Sequence, residues 1–343
     1  MTTITCFYLF VGAIVLASVS VWGRIAWKRS AGIELITYRP RHDVPWSALH
    51  LCVFILMYFS FSLGAAWVAN VDPEHDLQSL DSAAKIRFVA SFAVATLIGT
   101  VAGALFVMAA AGAQCRDLGL PTCIGRLRDD LWVGLLGFLA AVVPIYGLKI
   151  VLSFIQLRFG QRPVDHSLLT MLMDDPFGVG AAVVAVAAVV AAPISEEFAF
   201  RLLLQGWMEK IERRWVGGCR TTAPQPVAGP GEIPVSDPTT VGSLERGTAE
   251  TFTIDGRAEG ERVGSAAEWR TSHLQWRSIV LSSSLFGLMH LGTGLDPIPL
   301  FFLGAILGYL YNKTHRLLPC VVVHMLFNGF SLACVWLPIA LND

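Results

Sequence analysis

The sequence predicts an all-α polytopic membrane protein with about eight transmembrane helices. Of its 343 residues, 54% are hydrophobic and only 15% are charged, which is not the composition of a soluble globular domain. The apolar residues form repeated uncharged segments of about 20 residues, the length at which a helix crosses a bilayer. The formal net charge of −1 favours neither nucleic acid nor an acidic partner. The expected partner is the lipid bilayer.

Eight apolar segments are the predicted spans, and the charges around them predict their orientation. They cover residues 4–22, 46–69, 88–112, 131–155, 178–205, 277–291, 298–311 and 318–337. The segment before the first span has no Lys or Arg, which favours a retained span over a signal peptide. The loops after the first, third and seventh spans are basic, so the positive-inside rule places both chain termini outside. We expect a multi-pass protein of the bacterial cytoplasmic membrane.

The chain divides into an N-terminal set of helices, 1–177, and a C-terminal transmembrane core, 178–343, with most of the polar span residues. The core is interrupted at about 217–268 by a segment rich in Gly, Pro, Thr, Ser and Glu, without hydrophobic periodicity. This composition predicts a disordered cytoplasmic insertion, whose default role is a tolerated loop. The seven cysteines show no CxxC or Cys/His spacing and are expected to be free apolar fillers.

Charged residues at the end of the fifth span mark a candidate site. Glu196, Glu197 and Arg201 follow an uncharged run of mainly Ala, Val and Gly. Charges at membrane depth are costly and usually functional. Glu197 and Arg201 are four residues apart and can pair on one helix face, whereas Glu196 points about 100° away and stays available for other chemistry. For Glu197 and Arg201 alone, a structural ion pair is as good an explanation as catalysis.

Three more polar residues lie in the last spans. His290 follows Phe286 by four residues, and His324 precedes Asn328 by four. Taken singly, each is more often an interhelical hydrogen-bond partner than a catalyst. Together with the carboxylates they supply the parts of a hydrolytic site. A Glu can take a proton from water, a His can orient that water, and a His with an Asn can donate hydrogen bonds to an oxyanion.

The ordered motifs Glu-Glu-x-x-x-Arg, Phe-x-x-x-His and His-x-x-x-Asn resemble those of the CPBP/Abi family of intramembrane proteases. That family includes the eukaryotic type II CAAX prenyl endopeptidases and bacterial relatives linked to bacteriocin self-immunity. Gly304 and Gly308 are similar to the small-residue packing between the family's last two motifs. The resemblance covers about residues 178–329. It implies an endopeptidase that cleaves membrane-associated, prenylated or otherwise hydrophobic substrates near the cytoplasmic face.

The resemblance also implies a role for each motif residue. Glu196 would activate water with help from His290, and His324 with Asn328 would stabilise the oxyanion. Glu197 would pair with Arg201 to hold the site. These six residues are the candidate catalytic residues.

A zinc ion is left open as a cofactor, because Glu196, His290 and His324 match a His2Glu catalytic zinc site in ligand count. No His-Glu-x-x-His pair lies on one helix, however. The family has been described both as metalloproteases and as metal-free, glutamate-based proteases. Asn328 as an oxyanion donor favours the metal-free form.

The rise of an α-helix predicts how deep each motif residue lies in the membrane. Glu196 lies about 18 residues, or about 27 Å, into the fifth span, and His324 about six residues from the same inner side. His290, about 20 Å beyond Arg277, is too deep unless the sixth helix starts deeper or protrudes.

The alternative functions are a non-catalytic scaffold or bacteriocin-immunity factor with the same fold, and a proton-coupled transporter. The absence of an internal repeat in the sequence weighs against a transporter.

Overall fold

The structure is a computed structural model that describes residues 3–71, 80–159, 171–172, 175–220, 275–291 and 294–340. The regular secondary structure among these residues is entirely helical, with no β-strand, which confirms the predicted all-α class. The first four helices are α1 (Thr3–Ser30), α2 (Ala48–Ala69), α3 (Ser82–Ala111) and α4 (Ile124–Arg158). The fifth, α5, runs without a break through Val179–Val186, Ala187–Ala191, Ala192–Glu197, Phe198–Gln205 and Gly206–Arg220. The last three are α6 (Trp276–Leu288), α7 (Pro297–Thr314) and α8 (Leu317–Ala340).

Within the described chain, six helices are long and apolar enough to cross a membrane. They are α1 to α5 and α8, and they make this an integral multi-pass protein. The other two predicted spans are shorter: α6 has 13 residues and α7 has 18. At a rise of 1.5 Å per residue, 13 residues extend only about 20 Å, well short of the hydrocarbon core of a bilayer.

The sixth helix differs from the predicted segment 277–291 at its C-terminal end. It stops at Leu288, and residues 289–291 form a turn. His290 therefore lies on this turn and not within a spanning helix. The turn is stabilised by backbone hydrogen bonds from Met289 to Leu285 and from His290 to Gly287.

Helix α5, which carries the first motif, contacts both helices associated with the other two motifs. Helix α2 packs on α3, α6 packs on α7, and α8 packs on α4, while α5 contacts α2, α3, α6, α7 and α8. A single large apolar core joins these helices and includes the buried Phe54, Phe198, Leu202, Leu303 and Phe327. Many apolar side chains on the outer helices are exposed, among them Trp67 at 83%. In a membrane protein such side chains face lipid. Polar groups inside the bundle are unusual in this apolar surrounding and mark candidate functional residues.

The chain separates into two compact units. One comprises Met1–Arg214 and Leu274–Asp343, and contains all the motif residues. The other comprises Trp215–His273. The predicted insertion at 217–268 lies outside the described residues except for 217–220, which continue α5 as helix.

Candidate active site

The two glutamates lie on a short α-helical segment of α5 that has a π-helical segment on each side. These wider segments are Ala187–Ala191 and Phe198–Gln205. In π-helical register, the carbonyl of Ala188 would accept from the backbone N–H of residue 193. Residue 193 is proline and has no N–H. π-Helical segments within α-helices often occur at functional sites.

The side chain of Asn328 replaces the hydrogen-bond donor that Pro193 lacks. Its Nδ2 atom donates to the carbonyl oxygen of Ala188 over 2.9 Å. This bond ties α8 to the π-helical part of α5, next to the glutamates. An amide nitrogen carries two hydrogens, so the other hydrogen of Asn328 can serve a second acceptor.

Glu197 is held from two directions. Arg201 Nε donates to Glu197 Oε2 over 3.0 Å, and the exposed fraction of both side chains is 0%. His324 Nδ1 lies 2.9 Å from Glu197 Oε1 and donates to it, because a carboxylate oxygen can only accept. Both carboxylate oxygens of Glu197 therefore have partners within the protein.

Glu196 has a different environment from its neighbour. Its side chain is 27% exposed, and its Oε2 atom lies 3.7 Å from His324 Nε2. That distance is too long for a direct hydrogen bond and suits a bridging water or substrate atom. His324 thus faces both glutamates, one through each ring nitrogen. Of the two, Glu196 is the carboxylate that a substrate can reach.

His290 and Phe286 complete the third side of the site. Phe286 is fully buried, and its ring lies against His290, His324 and Phe200 with centroid separations of 5.3 Å, 5.6 Å and 5.4 Å. The guanidinium of Arg201 lies 5.2 Å from the centroid of the same ring. His290 is close enough to act electrostatically on the carboxyl of Glu196. The turn after α6 therefore carries His290 within electrostatic range of Glu196.

One hydrogen bond sets the tautomer of His290. Its Nδ1 atom lies 2.9 Å from the carbonyl oxygen of Phe286, which can only accept, so Nδ1 is the donor. In the neutral ring, the lone pair is then on Nε2. This nitrogen has the chemistry needed to accept a hydrogen bond from water.

Sequence reasoning missed a buried polar network that extends the motif along α5. Arg201 Nη1 donates to Ser282 Oγ over 3.4 Å, and Ser282 Oγ donates to Gln205 Oε1 over 3.3 Å. Gln205 Nε2 donates to Glu209 Oε1 over 3.0 Å and to the carbonyl of Gly308 over 2.8 Å. The available signal was the spacing, since a polar residue recurs at every fourth position from Glu197 to Glu209.

Glu209 is the centre of a second cluster at the end of this network. It is fully buried and receives Arg41 Nη2 at 3.3 Å and Asn312 Nδ2 at 3.1 Å. His315 Nε2 lies 3.3 Å from the same carboxylate. Charged side chains that are fully buried are rare unless paired, and Glu209 has several partners.

The residues considered for zinc do not form a ligand set in this arrangement. Among the described residues, no group of three or more His, Cys, Asp or Glu side chains is placed to hold a metal ion. His324 uses Nδ1 for Glu197, and its Nε2 faces Glu196 at 3.7 Å.

One comparison with known families agrees with the motif order. Residues 262–330 match a family model described as type II CAAX prenyl endopeptidase, Rce1-like. The match confirms the resemblance and indicates a membrane CAAX-type protease. Neither a curated protein nor a solved structure matches the chain.

The Rce1-like region includes the second and third motifs and begins after the first. It contains Phe286, His290, His324 and Asn328, whereas Glu196 to Arg201 precede it in the sequence. The fold brings that first motif into contact with the matched region through His324. The structure therefore unites all three motifs, although their catalytic roles stay predictions.

Proposed function

We propose that the protein is an intramembrane endopeptidase that cleaves membrane-associated hydrophobic peptides with a water molecule activated by Glu196. One observation carries this proposal. The partly exposed carboxylate of Glu196 faces His324 at 3.7 Å, next to His290, in a bundle that includes an Rce1-like region. An accessible carboxylate beside two imidazoles has the composition expected of a site for general acid and base catalysis.

The first chemical step assigned to this site is attack by water. The carboxylate of Glu196 takes a proton from a water molecule that His290 Nε2 orients. The water oxygen bonds to the carbonyl carbon of the scissile peptide, and the carbonyl oxygen becomes an oxyanion. When its ring is protonated, His324 can donate from Nε2 to the oxyanion while Nδ1 donates to Glu197. The second hydrogen of Asn328 Nδ2 supplies another donor.

Collapse of this intermediate breaks the peptide bond. Glu196 returns the proton to the leaving nitrogen, so that an amine and a carboxylic acid are formed and the base is regenerated. Arg201 and Glu197 make no contact with the reacting atoms in this scheme. They act as positioning residues that hold the ring of His324 in place.

The proposed substrate is a peptide anchored in the membrane by a prenyl group or another hydrophobic C-terminal segment. The family match supports a CAAX-type substrate. The many exposed apolar side chains of α2, of α6 and of the turn after α6, such as Trp67, Leu285 and Met289, agree with access from the lipid phase. The site is proposed to open near the cytoplasmic face.

The experiment compares Glu196→Gln with Glu212→Gln in the purified full-length protein reconstituted into liposomes. The probes are a farnesylated CAAX peptide and the same peptide carrying a hexadecyl thioether, with products identified by mass spectrometry. Glu212 lies on the same helix and accepts from Ser278, a role that glutamine can fulfil. We expect Glu196→Gln to lower kcat by about a hundredfold or more, and Glu212→Gln to leave it within about twofold.

Cleavage that survives Glu196→Gln at the original rate would remove the catalytic role of Glu196. If the unaltered protein cleaves neither peptide, it is better described as a scaffold or immunity factor with this fold. A chelator arm addresses the metal. We expect full activity in EDTA, because no group of three or more described His, Cys, Asp or Glu side chains is placed to hold a metal ion. Loss that zinc restores would replace the glutamate mechanism with a metal-dependent one.

A further inference from the structure

Three connecting segments meet at one end of the bundle and are joined by hydrogen bonds to backbone carbonyl groups. They are the α1–α2 loop, the α3–α4 loop and the α7–α8 turn. Arg39 N donates to the carbonyl of Lys313 over 3.0 Å, and His315 Nδ1 donates to the carbonyl of Arg39 over 2.7 Å. Leu317 N donates to the carbonyl of Gly119 over 3.2 Å. Because these bonds link segments that are far apart in sequence, the surface that the three segments form exists only in the folded chain.

Gly119 permits the approach of the α3–α4 loop to the α7–α8 turn. Its φ of +67° is in the left-handed region that favours glycine. A Cβ at this position would lie 2.9 Å from the carbonyl oxygen of His315 and 2.9 Å from Leu317 N. Any other residue would therefore push the α3–α4 loop away from the α7–α8 turn.

An open cavity of about 300 Å³ lies among the three segments. Its volume is at the lower end of the range for small-molecule sites. The described residues that line it include five arginines, Arg39, Arg41, Arg116, Arg126 and Arg316. One acidic residue, Asp117, is among them, and its Oδ2 atom already accepts from Gln114 N over 2.8 Å.

The five arginines divide into a fixed pair and an exposed group. Arg41 donates to Tyr311 over 2.7 Å and to Glu209 over 3.3 Å, and its buried Nε atom has no hydrogen-bond partner. Arg316 forms an ion pair with Asp130 at 2.7 Å, and its Nη2 atom donates to the carbonyl oxygen of Arg126 over 2.7 Å. The other three, Arg39, Arg116 and Arg126, are exposed at the rim. The cavity thus combines positioned guanidinium groups with adaptable ones, and guanidinium groups bind phosphate oxygens in a planar fork.

The position of the cavity favours a lipid as the source of the phosphate. The segments that form it connect the apolar helices α1, α2, α3, α4 and α8, so the cavity opens at the ends of helices that are long and apolar enough to cross a membrane. Basic cavities between transmembrane helices at this level bind anionic lipid headgroups. A bilayer also presents phosphate there at a high local concentration.

We propose that this arginine-lined cavity binds the phosphate of an anionic phospholipid headgroup. The proposal is independent of the proteolytic function, because none of the six candidate catalytic residues lines the cavity. Binding would anchor three connecting segments that are otherwise joined by few backbone bonds.

The test measures binding to detergent-purified full-length protein in three arms. The probes are short-chain phosphatidylglycerol, short-chain phosphatidylcholine and inorganic phosphate, titrated at physiological salt by calorimetry. The cavity variant is Arg39→Gln, Arg116→Gln and Arg126→Gln combined. The matched control is Arg24→Gln, Arg29→Gln and Arg128→Gln, which removes three exposed arginines that do not line the cavity.

We expect saturable binding of phosphatidylglycerol at one site, with weaker binding of phosphatidylcholine. Each basic residue near an anionic lipid contributes about fivefold to affinity, so the cavity variant should bind on the order of a hundredfold more weakly. The control variant should stay within about twofold of the unaltered protein. Single variants, Arg116→Gln and Arg126→Gln, provide the same comparison if the triple variant fails to fold.

Three results would overturn the proposal. The first is equal loss of affinity in the cavity and control variants, which would indicate diffuse surface charge. The second is unchanged binding in the cavity variants. The third is saturable binding of inorganic phosphate without competition from phosphatidylglycerol, which would assign the cavity to a soluble anion.

Discussion

The imidazole of His324 donates from Nδ1 to Oε1 of Glu197 over 2.9 Å, and both side chains are buried. This bond joins α8 to α5 at the centre of the bundle. It uses the glutamate that also receives Arg201, and leaves Glu196, which is 27% exposed, as the carboxylate facing the other ring nitrogen. Adjacent residues of the same type thus have different environments, because successive side chains on a helix point about 100° apart.

The buried pair predicts a strong effect on stability. Arg201→Gln should lower the free energy of unfolding by about 3–5 kcal/mol, because it leaves the carboxylate of Glu197 buried without its cation. The double variant Glu197→Gln, Arg201→Gln should be less destabilised than the single one, since no charge then remains unpaired. Denaturant unfolding in detergent measures both. Equal destabilisation of the single and double variants would argue against a coupled ion pair.

The bond between Asn328 and Ala188 predicts a dependence on Pro193. Asn328→Leu should lower the free energy of unfolding by about 1–3 kcal/mol, because the carbonyl of Ala188 loses its donor. In a Pro193→Ala background the backbone N–H returns, and the same substitution should have a smaller effect. Thermal unfolding of the four proteins gives the coupling energy. Additive effects would show that Pro193 and Asn328 are independent.

That cycle also separates a structural role of Asn328 from a catalytic one. If Asn328 donates to the oxyanion, the protein with Pro193→Ala and Asn328→Leu should remain impaired in kcat although its stability is partly restored. Recovery of kcat together with stability would assign Asn328 a structural role alone.

The packing of α7 on α5 and α6 predicts that Gly308 tolerates no side chain. A Cβ there would lie 2.9 Å from Gln205 Oε1 and 3.1 Å from Ile279 Cγ2. Gly308→Ala should therefore destabilise the protein by about 1–3 kcal/mol through overpacking. Gly147→Ala is the matched control in α4, where a Cβ meets nothing within 4 Å. It should be neutral or stabilising, because alanine is the better helix former. Similar melting temperatures for both variants would contradict this packing.

His315 predicts a loss of stability in mild acid. Burial lowers the pKa of its imidazole below the ordinary value of 6.5, against the opposing effect of Glu209. Its folded pKa is lower than its unfolded pKa, so the unfolded chain binds more protons at low pH. The contribution of His315 is then fully present above pH 6.5 and is lost as the pH falls through the folded pKa.

The measurement is the melting temperature in detergent as a function of pH, for the unaltered protein and for His315→Gln. Glutamine can still donate to the carbonyl of Arg39 but does not titrate. We expect the decline below pH 6.5 to be shallower in the variant. An identical decline in both proteins would assign the pH dependence to other groups.

Much of the fold was predictable because apolar segments of membrane-spanning length are a strong local signal. The eight predicted segments each overlap a described helix, and the all-α class and the family resemblance are both confirmed. The end of α6 was predicted three residues too late. Apolar composition continues through Leu288, Met289 and Leu291, whereas the chain leaves the helix there and turns towards α7. Hydropathy does not report such a change in backbone direction.

The buried network around Glu209 was not predicted, although its residues are visible in the sequence. Gln205 and Glu209 follow the motif at helical spacing but lie beside basic residues, which made this part of α5 look like a surface. Only the positions of Arg41 and Asn312, more than 100 residues away on either side, show that Glu209 is enclosed.

The sequence alone therefore determined which segments are helices and which polar residues accompany them, because both depend on neighbours along the chain. The difference in environment between Glu196 and Glu197 was only suggested by helix geometry. Tertiary structure decided it, by placing His324 against one glutamate at 2.9 Å and facing the other at 3.7 Å. The same holds for the arginine-lined cavity, since its three segments meet only after the helices pack. Contacts between residues distant in sequence depend on that packing, and a local pattern does not encode it.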